Sequence, residues 1–160
     1  MDFHDLYSRY ARDVHRFALY LSGNPALADD ITSETFLRAW SSAAPIREAT
    51  VKSYLFAIAR NVYRAELQRA RRHVELPETI AAADAEPDAR LDQRAALSKV
   101  LAALGQLPEV DRAALIMRAQ DEMPYEEIAQ ALQLSLSSAK VKVHRARLKL
   151  AALIPRTVLP

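Results

Sequence analysis

At 160 residues and 51% hydrophobic content, the chain can bury one medium core or two small ones, and its composition is not that of a wholly disordered protein. It has no cysteine, which removes disulfides, thiolate zinc sites and cysteine nucleophiles together and suits a reducing cytoplasm. The formal net charge of +2 conceals a segregated pattern: basic over 60–73, acidic over 75–92, and basic again after Glu127, the last acid in the sequence.

The N-terminal ten residues have neither a basic region nor an apolar run, so no signal peptide is expected, and no stretch is apolar enough to insert in a membrane. Phe3, Leu6, Tyr7, Tyr10, Val14, Phe17 and Leu21 recur at steps of three and four and predict an amphipathic first helix. Gly23 suits the left-handed position that ends it, while Asn24 and Pro25 restart the chain as N-cap and first helical residue. The second helix is expected to reach Trp40, with Leu27, Ile31, Phe36, Leu37 and Trp40 as its apolar residues. A loop then runs to Thr50 through Pro45 and Arg47.

The third helix is predicted over 51–72. Val51, Tyr54, Leu55, Ile58 and Val62 form its buried side, and Ser53, Arg60, Arg64 and Arg71 lie away from it, with Asn61 on the flank. These three helices make a domain over 1–73. Residues 74–93 lose periodicity, carry Pro77 and Pro87, and read as an acidic linker that is flexible or only partly helical.

A second domain is expected over 94–154. Leu97, Val100, Leu101 and Leu104 belong to one helix ended at Gly105, and Pro108 opens the next, with Glu109 and Asp111 favourable to its dipole. Tyr125 to Leu132 forms a short helix. Ser135 can then cap a final one by accepting from the amide of Ser138. In that last helix Ala139, Val143, Ala146 and Leu150 make a buried stripe, at about 100° per residue. Lys140, Val141, His144 and Arg145 fall opposite, and Lys142, Arg147 and Lys149 flank it. A short helix, a tight turn and a basic helix with one buried edge is helix-turn-helix logic; the alternative is a helical hairpin with a solvated basic face. No strand-like alternation occurs, so the fold class is all-α, in two small helical domains joined by the linker.

Catalysis has little to stand on. With only Gly23 and Gly105, neither common phosphate loop can be built, and there is no HExxH and no local Ser-His-Asp arrangement. Asp29, Asp30 and Glu34 could ligate a metal, but no further carboxylate or histidine motif pairs with them. A solvated acidic face is the simpler reading. No enzyme activity, cofactor or small-molecule substrate is expected.

With both halves in place, the chain resembles a bacterial RNA polymerase sigma factor of the extracytoplasmic-function (ECF) type over nearly its whole length. The sequence ADDITSETFLRAW over 28–40 is similar to the family's polymerase-binding helix. YLFAIARNV over 54–62, followed by arginines, is similar to its promoter-melting helix. LP at 107–108, YEEIA at 125–129 and HRAR at 144–147 match its minus-thirty-five reader. The resemblance implies core RNA polymerase, promoter DNA and an anti-sigma factor as partners, in a bacterial cytoplasm. It assigns Asp30, Ser33 and Glu34 to polymerase binding, and Arg47, Arg60, Asn61, Arg64, Arg71 and Arg72 to the minus-ten region. Asn61 is carried over as a contact to a base taken out of the stack, and the arginines as phosphate contacts. For the minus-thirty-five element it assigns Ser138, Lys140, Val141, His144 and Arg145, and the basic Lys142 and Arg147 that flank the buried stripe are expected to join them.

The departures from the family pattern are specific. Ser33 stands where Gln is usual, Pro124 where a capping Ser is usual, and Val141 where a hydroxyl residue is usual. The loop before Val51 lacks a common glycine. Two other readings share the residues: a LuxR-like helix-turn-helix regulator that does not join the polymerase, and an all-helical interaction protein. The first has no use for the acidic second helix. The second would not associate with DNA, or would do so without salt dependence.

Overall fold

Local chemistry sets the helix ends. In the computed structural model, which describes residues 2–42, 47–72 and 91–154, α1 (Phe3–Ser22) stops where Gly23 adopts φ 68°, and its amide closes onto the Leu19 carbonyl. Asn24 Oδ1 accepts from the Leu27 amide at 3.1 Å and Pro25 opens α2 (Pro25–Ser41). A single 3-10 turn, Glu48–Thr50, leads into α3 (Val51–Arg72). The second set comprises α4 (Leu91–Gly105), α5 (Glu109–Ala119), α6 (Tyr125–Leu132) and α7 (Leu136–Leu153). The described residues are all helix, turn or irregular, with no strand among them. Most of the acidic stretch expected to be a linker, and the tail beyond Ile154, lie outside the described residues.

α1, α2 and α3 pack around Val14, Phe17, Leu21, Ile31, Phe36 and Leu55, with Phe17 stacked on Phe56 at 4.5 Å and 6°. In the C-terminal unit α5 lies against α7 and α6 around Leu115, Met117, Ile128, Leu132 and Val143. The two cores run into one continuous buried cluster, because α5 also packs on α1, and α6 on α3. Hence α5 is buried all round from Asp111 to Met117, which a helix touched on one side only would not be.

This packing explains where helical periodicity misassigned α3. Ser53 and Arg60, expected on the solvent side, are 5% and 8% exposed. α3 packs on α1 and α2 and also on α6 of the C-terminal unit, so it is covered on more than one side. A helix sandwiched between two units has no single apolar stripe, and its second buried face can be polar when partners are supplied. Ser53 Oγ donates to the Thr50 carbonyl at 3.0 Å. Arg60 finds its partner across the junction: Nε and Nη2 donate to the two carboxylate oxygens of Glu109 at 2.7 and 2.9 Å.

Two further polar contacts cross the same junction. Arg112 of α5 enters the N-terminal unit, where Nη1 donates to the Leu21 carbonyl and, at 3.2 Å, to the Tyr63 hydroxyl, while Nη2 donates to the Leu107 carbonyl at 3.2 Å. The Leu21 carbonyl belongs to the last turn of α1, where unpaired carbonyls and the helix dipole both favour a cation. Asp121, in the turn after α5, accepts from Arg16 at 3.0 Å and lies 3.8 Å from Lys52, and both cations also reach Asp13. Burial raises the Asp121 carboxyl above its ordinary pKa, against the opposing pull of Arg16 and Lys52, and its Oδ2 is buried without a hydrogen bond.

Candidate nucleic-acid interface

The last helix begins as its sequence predicts. Ser135 Oγ accepts from the Ser138 amide at 3.1 Å, and Gln133, at φ 56°, makes the left-handed turn that separates α6 from α7. Ala139, Val143 and Ala146 are buried against the unit's core, which turns the opposite face outward. Lys140, Val141, His144, Arg145 and Arg147 are exposed there, while Ser138 and Lys142 are half-buried at its edges. Val141 and Leu148, 58% and 62% exposed and seven residues apart, add two apolar points to the basic face. The structure therefore brings together the residues expected to read the minus-thirty-five element, and adds Leu148.

Two members of this face are held from behind. Arg145 Nε and Nη2 donate to Asp111 Oδ2 and Oδ1 at 2.8 and 2.9 Å, and this pairing raises the guanidinium pKa above its ordinary value. Lys140 Nζ lies 5.9 Å from the Tyr125 ring centroid, and the Arg118 guanidinium lies 4.4 Å from the same ring.

The residues expected to meet the minus-ten region divide. Asn61, Arg64, Arg71 and Arg72 are exposed along one side of α3, at spacings that share a face, and Arg47 is exposed just before the 3-10 turn. Arg60 does not join them while its pair with Glu109 is made. Residues 43–46 of the loop lie outside the described residues.

On α2, Asp30 and Ser33 are exposed, and the half-buried Glu34 pairs with Arg38 at 2.9 Å. In line with them stand Leu37 and Trp40, 59% and 55% exposed, with the Trp40 and Phe3 rings in a T-shaped contact, centroids 5.4 Å apart. Both are among the apolar residues expected along α2, and their spacing from Asp30 and Ser33 places them on the acidic stripe. Exposed large apolar groups beside carboxylates are what a protein-binding face looks like. Asp29 points elsewhere: it pairs with His15 at 2.9 Å beside an open cleft of about 520 Å³ between α1 and α2. Among the described residues no group of acids and histidines is arranged to hold a metal, and no helix is long and apolar enough to cross a membrane.

Residues 6–73 match the family model described as Sigma-70 region 2, and residues 97–150 match that of Sigma-70, region 4. The chain is 33% identical over 142 residues to the ECF RNA polymerase sigma factor EcfG of Rhodopseudomonas palustris, covering 88% of this chain and 78% of that one. It is 28% identical over 163 residues to the ECF RNA polymerase sigma factor SigM of Bacillus subtilis, covering 99% and 98%. Among solved structures it is similar to the sigma factor RpoE bound to the anti-sigma factor NepR from Bartonella quintana. That match has a TM-score of 0.78 and 26% identity, over 95% of this chain and 96% of that one.

Proposed function

The chain belongs to the sigma-70 family of RNA polymerase sigma factors, in its ECF group, and we propose how its surfaces divide the work. It directs core RNA polymerase to promoters and starts transcription there. A helix-turn-helix regulator that works apart from polymerase is not favoured, because the region 2 match, over residues 6–73, takes in nearly all of the N-terminal unit.

The face of α2 carrying Asp30, Ser33, Glu34, Leu37 and Trp40 binds core polymerase. Carboxylates set register against basic groups there, and the exposed Trp and Leu supply desolvated contact area. The outer face of α7 reads the minus-thirty-five element from the major groove through Ser138, Lys140, Val141, Lys142, His144, Arg145 and Arg147. Arg47, Asn61, Arg64, Arg71 and Arg72 engage the minus-ten region, where Asn61 offers a donor and an acceptor to one extruded base and the arginines hold phosphates. Arg60 joins them only once its pair with Glu109 opens, so promoter opening goes with separation of the two units.

An anti-sigma factor is the partner we assign to the joined form, as RpoE is bound by NepR in the similar solved structure. The working compartment is the bacterial cytoplasm, where polymerase and chromosome are. The observation that carries this division is an acidic and apolar helix face in one unit and a capped basic recognition helix in the other. Its test is paired substitution. Asp30→Ala with Glu34→Ala lowers affinity for core polymerase and leaves the preference among minus-thirty-five sequences intact, whereas Lys140→Ala does the reverse. Unchanged core affinity in the first variant refutes the α2 assignment.

A further inference from the structure

Arginine has five N–H donors in a planar fork, and two of those on Arg145 are taken by Asp111. The remaining three, both on Nη1 and one on Nη2, lie along the edges of the guanidinium not facing Asp111. A guanine presents O6 and N7 in the major groove to such a pair of parallel N–H groups. The Arg145 side chain is 57% exposed and Asp111 only 3%, so the carboxylate sits behind the arginine, and the free edge belongs to the part that solvent reaches.

We propose that Asp111, which touches no DNA itself, is a specificity-determining positioning residue: it clamps Arg145 so that the free edge of its guanidinium is preset to read one guanine. The proposal rests on the reading of α7 as the minus-thirty-five reader and adds the source of its discrimination.

Three features support it. The contact is bidentate, so it fixes the plane of the guanidinium as well as its place, which a single hydrogen bond does not. It spans two helices that already pack on each other, so the clamp is anchored in the core of the unit rather than in a mobile side chain. Holding a long side chain in one rotamer before binding removes ordering entropy from the DNA complex. A free arginine on an exposed helix face would spread its contacts over neighbouring phosphates and bases, giving affinity without sequence. Sequence periodicity puts Arg145 on the right face and says nothing of this, because its partner lies on a different helix.

The experiment uses the full chain assembled with core polymerase and a promoter pool randomised across the minus-thirty-five element, selected and sequenced for the wild type, Arg145→Lys, Asp111→Asn, Asp111→Leu and the double variant Asp111→Asn with Arg145→Lys. Ratios between sequences within one preparation do not depend on the fraction folded. Asp111→Leu replaces a buried carboxylate with an apolar group of similar size, which leaves no unpaired acceptor and so protects the fold if Asp111→Asn lacks stability. Arg145→Lys keeps a cation for Asp111 but loses the fork. It lowers the preference for guanine at one base pair by about tenfold. Both Asp111 variants reduce the preference at that same base pair toward the lysine level, and Asp111→Asn combined with Arg145→Lys goes no lower than Arg145→Lys alone. If Arg145→Lys relaxes one base pair and both Asp111 variants keep the wild-type preference, the clamp is refuted and the reader stands. A loss of preference spread over every position of the element in the Asp111 variants also overturns the proposal, since it marks Asp111 as structural only. If Arg145→Lys changes no base preference, Arg145 is not a reader at all.

Discussion

Glu109→Gln is the sharpest perturbation of the junction between the two units. The Arg60 and Glu109 side chains are 9% and 20% exposed and share two hydrogen bonds, at 2.7 and 2.9 Å. Removing one partner of a buried ion pair costs about 3–5 kcal/mol, most of it the uncompensated charge left behind. Here glutamine still offers one acceptor and the pair touches solvent on the Glu109 side, which brings the penalty on the joined form to about 2 kcal/mol, within the range of a hydrogen bond to a charged group. Once the units separate, Arg60 is hydrated and the penalty vanishes, so the balance moves toward the separated form by about 30-fold. Glu109 also lies in the first turn of α5, but the lost dipole interaction is only about 0.5 kcal/mol and acts on both forms. Because the chain has no cysteine, Gln68→Cys on α3 and Ala151→Cys on α7, both at exposed positions, give clean labelling sites for single-molecule energy transfer. The low-transfer population should rise in Glu109→Gln, and binding of single-stranded minus-ten DNA should strengthen with it. An unchanged distance distribution, together with unchanged binding, would refute the claim that this pair holds the units together.

Three other outcomes are expected. Trp40→Ala weakens core polymerase binding by about 30-fold, as for an aromatic anchor worth about 2 kcal/mol, while shifting the thermal midpoint little, since the ring is more than half exposed; a competition assay against labelled wild type measures the first and calorimetry the second. Substituting Arg64, Arg71 and Arg72 together by glutamine lowers the salt slope of single-stranded minus-ten binding by about 2, at roughly 0.7 per phosphate contact, and an unchanged slope would remove them from the interface. For Asp121, burial raises the folded pKa above 3.8, so the folded chain takes up a proton before the unfolded one does as pH falls. The charged carboxylate therefore weighs against folding at neutral pH, and that burden is lifted between the raised folded value and pH 3.8. Relative to Asp121→Asn, the wild type should gain thermal stability as pH drops through that window; a relative loss would reverse the sign.

Much of the fold was legible because its signals are local. Gly23, Asn24 and Pro25 end one helix and start the next through contacts within a few residues, and Ser135 caps α7 in the same way. The exposed face of α7 followed from periodicity because that helix is buried on one side only. α3 and α5 have neighbours on both sides, so no single stripe describes them. Their polar buried residues, Ser53, Arg60, Asp111 and Arg112, look like surface residues until the partners are placed. Ser53 is satisfied locally at Thr50, but the charged ones find partners far along the chain: Glu109 is 49 residues from Arg60, and Asp111 is 34 from Arg145. Charge spacing within a helix carries no trace of such pairs. Leu37 and Trp40 are the opposite case, apolar residues that periodicity assigns to the helix interior and the fold leaves exposed.

The division of labour is tested most directly by transcription from a randomised promoter pool with purified core polymerase and the full chain. Specific initiation from a minus-ten and minus-thirty-five pair is expected. It should be lost when Asp30 and Glu34 are both alanine, and redirected to other minus-thirty-five sequences when α7 is altered at Val141 or Arg145. No specific initiation, with no binding to core polymerase at low salt, would contradict the account at its root.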